Sequence, residues 1–442
     1  MSIAVPLALG IALRSALFAF PSVVETLGDR LELSSALTRF VDVEQEVRWP
    51  SAEGAHRPPI LTHLVRLGAF TPTVFVAIDI GVALLIHLSL KLHERHQVSV
   101  RQKENELLAK WNELGRPRLG SSTDDIVVGA ETAADTDITW AATKQTEEII
   151  GLTSQDLPVT IATVYLLAPF TILTCGARSF APLSFLLALG SIVSSQLQIP
   201  PLSGALLGLT VFVEGPAYIA ILGLPVLAGC SRSLAPRILA VVSFVATLSV
   251  ALYLSYLLEG RSWRFIEPVY LWVYSAPDFR PNVGMWWYLL AEMFERYRAY
   301  FLFLLHSLIY LLATPLSIYL HRRPVLHAHF GLAVWHLFQP YPEIFHEFTA
   351  LLLMLMHPQF ALSISLLGAT LLVTCFSLVL QPIMLYTWLD LGSGNANYYY
   401  FQCLIVNGSL AMLLLQFFMA VVARDMVMTR IRRFLDKNAK VD

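Results

Sequence analysis

Four groups of residues in this chain have the types and spacing that chemistry asks for. Asp42-Val43-Glu44-Gln45-Glu46 is the densest acidic cluster, and Asp42 and Glu46, four residues apart, would share one face of a helix. Acids so placed on a loop beside a membrane can bind a metal or deprotonate an acceptor hydroxyl, the chemistry of glycosyltransferases that use lipid-linked sugars. The same spacing describes a solvated helix face, the ordinary state of charges in a loop, and that plainer reading is preferred. Asp79 stands inside an apolar run, where a lone carboxylate is costly and needs a partner. Arg14, in another apolar run, is the natural one, so a structural Asp79–Arg14 pair is expected ahead of a substrate contact.

His327-Ala328-His329, with His321 nearby, offers metal-ligand types. However, side chains at i,i+2 do not share a helical face, and no acid or cysteine stands at useful spacing. No metal site and no cofactor is expected. Gly392-Ser393-Gly394-Asn395-Ala396-Asn397-Tyr398-Tyr399-Tyr400 precedes an apolar run. Its glycines let the backbone approach a ligand, Asn395 and Asn397 supply donors and acceptors, and the tyrosines add amphipathic rings. A lipid head group suits such a loop; so does a plain turn followed by an aromatic belt, and both readings stand. The four cysteines lie in apolar runs without CxxC spacing, so neither a disulfide framework nor zinc is implied. Asn407-Gly408-Ser409 matches a glycosylation sequon but falls inside an apolar run. No Ser/His/Asp, Cys/His, phosphate-loop or nucleotide-fold motif stands in a believable context, so no catalytic residue is assigned.

The elements that must position these groups follow from composition. The chain has 442 residues, of which 56% are hydrophobic and 14% charged, and its mean hydropathy is +0.62. Soluble chains carry about 25% charged residues. A cytosolic enzyme, a nucleic-acid binder and a disordered scaffold are therefore excluded, and the net charge of −2 says nothing about partners. The expected fold is all-α: a polytopic membrane helix bundle forming one transmembrane domain over residues 1–442. Runs near the 20 or so residues that a bilayer needs fall at residues 3–20, 71–90, 157–174, 181–198, 200–213, 216–230, 238–258, 299–320, 328–339, 347–356, 359–381 and 399–423, giving about twelve spans. The runs at 328–339 and 347–356 are short, which leaves half-helices open.

Lys/Arg bias orients the bundle. Lys91–Arg118, Arg232/Arg237, Arg322/Arg323 and the tail Arg424–Lys440 are basic, and twelve spans put all four on one side, with both termini cytosolic. The cytosolic loop is then 91–156, its part 120–143 rich in Asp, Thr, Ser, Gly and Ala and expected to be flexible. The basic tail is 424–442. The opposite side receives residues 22–58, Arg178, the aromatic-rich segment 259–298, Tyr341–Phe345 and Asp390–Tyr398. Tryptophan and tyrosine gather at the membrane–water boundary, so segment 259–298 is expected against that interface.

This middle segment carries a resemblance. Ser262-Trp-Arg-Phe-Ile-Glu-Pro-Val-Tyr270, Ser275-Ala-Pro-Asp278-Phe-Arg-Pro281-Asn282-Val-Gly284 and Trp287-Tyr-Leu-Leu-Ala-Glu-Met-Phe-Glu295 resemble the signature of the PIG-U family of GPI transamidase subunits. Tyr165-Leu-Leu-Ala-Pro-Phe-Thr-Ile-Leu-Thr-Cys175, Tyr341-Pro342, Gly392–Tyr400 and Arg14-Ser-Ala-Leu-Phe18 agree with it, so the resemblance runs from the first helix to the last. Ala168 and Arg264 depart from the family's Asn and Asp, the first loop has Ala55-His56-Arg57-Pro58 where the family has Ser-Pro-Tyr, and loop 120–143 is longer than usual.

The resemblance implies a non-catalytic, multi-pass subunit of the endoplasmic-reticulum complex that attaches GPI anchors to proteins, with a bundle similar to that of lipid-linked mannosyltransferases. A cysteine-protease-like partner subunit would cleave the C-terminal signal and transfer the new carboxyl end to the ethanolamine of GPI. This chain would help bind the GPI lipid or the signal peptide and would scaffold the complex. Asn395, Asn397, Tyr398 and Tyr399 would meet the lipid, while Asp278, Pro281, Asn282, Asp79 and Arg14 would be structural or contact partners. No nucleic acid is involved. The rival is a membrane mannosyltransferase using a dolichol-linked donor, with Asp42 or Glu44 as the acid. It requires donor-phosphate cations beside those acids, and in the first loop acids outnumber Arg30, Arg39, Arg48 and Arg57.

Overall fold

A computed structural model describes residues 3–30, 32–35, 38–40, 42–44, 56–113, 156–231, 233–275, 279–364 and 367–438. Every regular element among these residues is helical. In chain order they are α1 (Ala4–Phe18), α2 (Pro21–Gly28), α3 (Pro59–Arg66), α4 (Pro72–Glu113), α5 (Leu157–Leu167), α6 (Pro169–Gly176), α7 (Ala181–Gln196), α8 (Pro200–Glu214), α9 (Ala217–Cys230) and α10 (Leu234–Leu258). A π-turn at Glu267–Leu271 leads into α11 (Trp272–Ser275), followed by α12 (Trp286–Glu292), α13 (Glu295–His306), α14 (Leu308–Leu320), α15 (Pro324–Phe338), α16 (Ile344–Leu355), α17 (Pro358–Ala361), α18 (Leu367–Leu389) and α19 (Ala396–Asn438). Proline opens many of them, at a position where its missing N–H would have had no intrahelical partner.

Five stretches are individually long and apolar enough to cross a bilayer: Pro72–Arg95, Leu234–Leu258, Glu295–Leu320, Leu367–Leu389 and Ala396–Asp436. Two bent pairs raise the number to seven if each counts as one span. The run at 3–20 is the single helix α1, and the chain bends by 91° after it into α2. The run at 157–174 breaks within its bounds, α5 and α6 meeting at 49° where Pro169 removes an N–H from the ladder. The second expected run matches the apolar stretch Pro72–Arg95, and α4 continues as helix through the basic stretch to Glu113. The run at 359–381 starts as the separate short α17. Helices α7, α8, α9 and α16 are apolar but shorter.

Burial sorts these helices. In α15 and α16 nearly every side chain is buried, as in a central helix, and most are apolar. Helix α10 is the opposite case: Leu234, Ile238, Val242, Val245 and Tyr253 are exposed, an apolar surface turned outward. It is held to α8 by close backbone approach. A Cβ on Gly204 would lie 2.0 Å from the Ala240 carbonyl oxygen, and one on Gly208 would lie 2.9 Å from that of Phe244. Gly204 and Gly208 are four apart, the small-xxx-small spacing that lets membrane helices touch. The central core joins α4, α5, α7, α9, α15, α16 and α19 through residues such as Ile86, Tyr165, Phe185, Leu222, Leu332, Phe345 and Leu410.

Candidate functional site

The charges inside the bundle are held in defined sets. Arg14 and Asp79 are fully buried, and the Arg14 Nε donates to Asp79 Oδ2 at 2.5 Å. The Tyr165 hydroxyl donates to the other carboxylate oxygen at 2.6 Å. Arg14 also mends the bend between α5 and α6. Pro169 leaves the Tyr165 carbonyl without its helical donor, and the Thr171 hydroxyl takes its place at 2.6 Å. Arg14 Nη1 donates to the Leu166 carbonyl at 2.8 Å and Nη2 to Thr171 Oγ1 at 3.0 Å.

At one end of the bundle the loops converge on Glu343, the N-cap of α16. Its carboxylate accepts from the Ser35 N–H at 3.0 Å and from the Ser179 hydroxyl at 3.1 and 3.0 Å, while its own N–H donates to His346 Nδ1. The Ile344 N–H donates to the Glu32 carbonyl, and the Phe180 N–H to the Thr38 carbonyl. Burial pushes the Glu343 carboxyl up to about 8, against the pull of the Ser35 and Ser179 donors and of the Arg57 charge. Arg57 itself lies 3.2 Å from Glu214, and that carboxylate also accepts from the Ser184 hydroxyl. Arg30 pairs with Asp390 at 2.9 Å. Trp272 is stacked between His56 and Tyr341, at ring-centroid distances of 3.7 and 5.1 Å, which seats the aromatic segment on the first loop.

The loop before α19 meets the same end. The Asn395 side-chain oxygen accepts from the Tyr398 N–H at 3.2 Å, so this residue caps the helix. The Asn397 side-chain oxygen accepts from the Tyr288 hydroxyl, joining the loop to α12. Asn397 and Tyr398 are exposed, whereas Tyr399 is fully buried against Trp287 and Trp388. The Tyr400 hydroxyl reaches the Met285 carbonyl at 2.9 Å. Between them sits the turn Pro281-Asn282-Val283-Gly284: Asn282 is buried, and its side-chain oxygen accepts from the Gly284 N–H at 2.8 Å. A Cβ at Gly284 would lie 2.7 Å from Pro342 Cγ, so only glycine lets this turn rest on the Tyr341-Pro342 step. Asp278 and Glu46 fall outside the described residues, as does segment 120–143.

The first-loop acids are matched by arginines. Asp42 lies 3.6 Å from both Arg39 and Arg280, and Glu44 lies 3.8 Å from Arg178. At the far end of the bundle a second network ties α4, the turn before α15 and α19 together. Glu104 pairs with Arg424 at 2.7 Å and with Arg323 at 3.6 Å, and Arg323 with Asp425 at 2.5 Å. His329 is buried, its Nδ1 3.0 Å from His357 Nε2. Among the described residues no group of three or more His, Cys, Asp and Glu side chains is placed to hold a metal. Sequence reasoning missed Glu343, Glu347 and the Arg57–Glu214 pair; isolated acids at the edges of apolar runs were the available signal.

A membrane-embedded helical bundle, with paired internal charges and a polar loop cap built from the two aromatic segments, is the class of protein defined here. The chain belongs to the PIG-U family, matching over residues 8–406 the family described as GPI transamidase subunit PIG-U. It is 30% identical over 288 residues to the GPI-anchor transamidase component PIGU of Homo sapiens, the match spanning 62% of this chain and 65% of that protein. It is 29% identical over 257 residues to the GPI transamidase component GAB1 of Saccharomyces cerevisiae, spanning 57% and 64%. With the GAB1 homolog of Schizosaccharomyces pombe it shares 30% identity over 272 residues, spanning 61% and 65%. The matched region thus covers a little under two thirds of each relative's length.

Proposed function

We propose that this chain is a non-catalytic subunit of a GPI transamidase in the endoplasmic-reticulum membrane, where it binds the GPI lipid and assembles with a cysteine-protease-like catalytic subunit. Family membership across residues 8–406 is the observation that carries the reading. The bundle has about twelve spans, with the shorter apolar helices and α15 completing the long ones, and its architecture is of the lipid-linked mannosyltransferase kind. Residues 22–58, 259–298 and the 390–398 loop face the lumen; 91–156 and the tail 424–442 face the cytosol. The contacts linking Arg30 to Asp390, His56 to Trp272 and Tyr288 to Asn397 support the first grouping. Those joining Glu104, Arg323, Arg424 and Asp425 support the second.

The lipid contact falls to Asn397 and Tyr398, whose exposed side chains, unlike that of the also exposed Asn395, do not cap α19. A GPI head group of sugars and phosphates needs donors and acceptors, and an amide supplies them without the desolvation cost of a buried charge. Asn395 serves the same loop by capping α19. The mannosyltransferase reading draws no support, because the matched family and the similar proteins are GPI transamidase components. In cells lacking the endogenous subunit, Asn397→Ala should lower GPI transfer about fivefold to a hundredfold, the cost of about 1–3 kcal/mol for an unpaired ligand group. Co-purification of the partner subunits should be unchanged. Normal transfer would refute the lipid contact, and lost co-purification would make the residue structural.

A further inference from the structure

The lipid contact has a carboxylate beside it. The Tyr288 hydroxyl donates to the Asn397 side-chain oxygen and so bridges α12 to the loop before α19. Glu292 stands one turn after Tyr288 on the same face of α12, and its carboxylate reaches the same hydroxyl. Glu292 is exposed, and no arginine or lysine pairs with it among the described residues. The cations that follow it in sequence are engaged elsewhere. Arg298 donates to the Leu290, Ala291 and Met293 carbonyls and lies over the Phe279 ring. Arg296 lies over the ring of Tyr297.

A phenol has one hydrogen to give. Here it goes to Asn397, so a carboxylate, an amide oxygen and a phenol oxygen share a single hydrogen, with Glu292 and Asn397 both open to solvent. Water fills such a surface, and a ligand that displaces the water must reproduce its hydrogen bonds. A phosphate brings only acceptors and the wrong charge. A sugar hydroxyl brings one donor and leaves the carboxylate uncompensated. A primary ammonium brings three donors and one positive charge. Aromatic faces attract such a cation, and the Tyr288 and Tyr400 rings lie here, 4.7 Å apart between centroids, with Tyr398 exposed beside them in the loop. We propose that Glu292, together with Tyr288 and Asn397, forms a subsite for a primary ammonium group of the GPI head group. This subsite rests on the lipid contact at Asn397 and Tyr398 and gives that contact a means of selecting an amine-bearing head group over a neutral one.

The test offers two probes to the full chain purified in detergent with its partner subunits: GPI with its amines intact, and the same GPI acetylated on those amines. Binding is read in place of transfer, because acetylation also removes the accepting amine. Intact GPI should bind about threefold to fivefold more tightly, the range of an exposed ion pair, and the preference should shrink as salt is raised. Glu292→Gln, at an exposed position, should bring intact GPI down to the level of the acetylated form and leave the acetylated form unchanged. Asn397→Ala should weaken both. Equal binding of the two forms by the unsubstituted chain would overturn the ammonium subsite and leave the lipid contact standing. Retention of neither form would refute the lipid contact itself. Phosphatidylethanolamine competing as well as GPI would overturn the assignment to GPI. Loss of partner subunits from Glu292→Gln would overturn it too, the carboxylate then serving a partner's cation.

Discussion

Replacing Asp79 by asparagine isolates the Arg14 charge while keeping the side chain's shape. The guanidinium would lose its 2.5 Å partner yet remain at 0% exposure, with only the Leu166 and Gly10 carbonyls and the Thr171 hydroxyl around it. Breaking a buried pair in this way costs about 3–5 kcal/mol. For a chain of this size about 1 °C of midpoint accompanies each kcal/mol, so Asp79→Asn should unfold about 3–5 °C below the unsubstituted protein. The double change Arg14→Met with Asp79→Leu removes both charges and should recover most of that loss. It should not recover all of it, because the Leu166 carbonyl beside Pro169 would lose its Arg14 donor, a deficit of about 1–3 kcal/mol. The structure supplies the assay: Cys175, Cys230 and Cys403 are buried and Cys375 is exposed, so a thiol-reactive fluorophore reads unfolding as three new sites above a baseline of one. A double variant no more stable than Asp79→Asn would refute the charge-compensation reasoning. So would an Asp79→Asn variant that melts with the unsubstituted chain.

Gly204→Ala should destabilise by about 1–3 kcal/mol, since its Cβ would meet the Ala240 backbone at 2.0 Å and neither helix can yield by a rotamer change. Gly208→Ala should cost less, its nearest atom being 2.9 Å away, and Gly368→Ala, with nothing within 4 Å, should cost nothing measurable. Any other ranking in the thiol assay would count against close α8–α10 contact as the cause. For the twelve-span orientation, single cysteines placed at Ser122 and at Ser393 in a cysteine-free chain should react with an impermeant reagent from opposite faces of intact microsomes. Reaction of both from the cytosolic face would sink that orientation.

Hydropathy made the apolar runs legible because transfer out of water is a property of each residue, summed along the chain. Arg14 and Asp79 were legible for the same reason, since a charge in such a run must find a partner. The bends were not. A hydropathy window passes smoothly over Ala168-Pro169, although the missing proline N–H already says that the ladder breaks there and that Tyr165 and Leu166 carbonyls need outside donors. Asn395 and Asn397 looked alike by type, yet position separates them: Asn395 stands where the helix has unpaired N–H groups and is drawn into capping, while Asn397, two residues later, reaches Tyr288 from an exposed site.

Glu347 marks a different boundary. The rule that singled out Asp79 applies to it equally, but it sits four residues after Glu343 and opens the run at 347–356, where a charge reads as a polar edge. Backbone geometry decides otherwise: Glu343 caps α16 from the loop, and Glu347, one turn in, faces Gln381 and Asn407. Those partners lie 34 and 60 residues away in sequence, on helices whose crossing no local window contains. A carboxylate one turn inside an apolar helix is therefore the feature to seek in such sequences, because its cost is local and readable even when its partners are not.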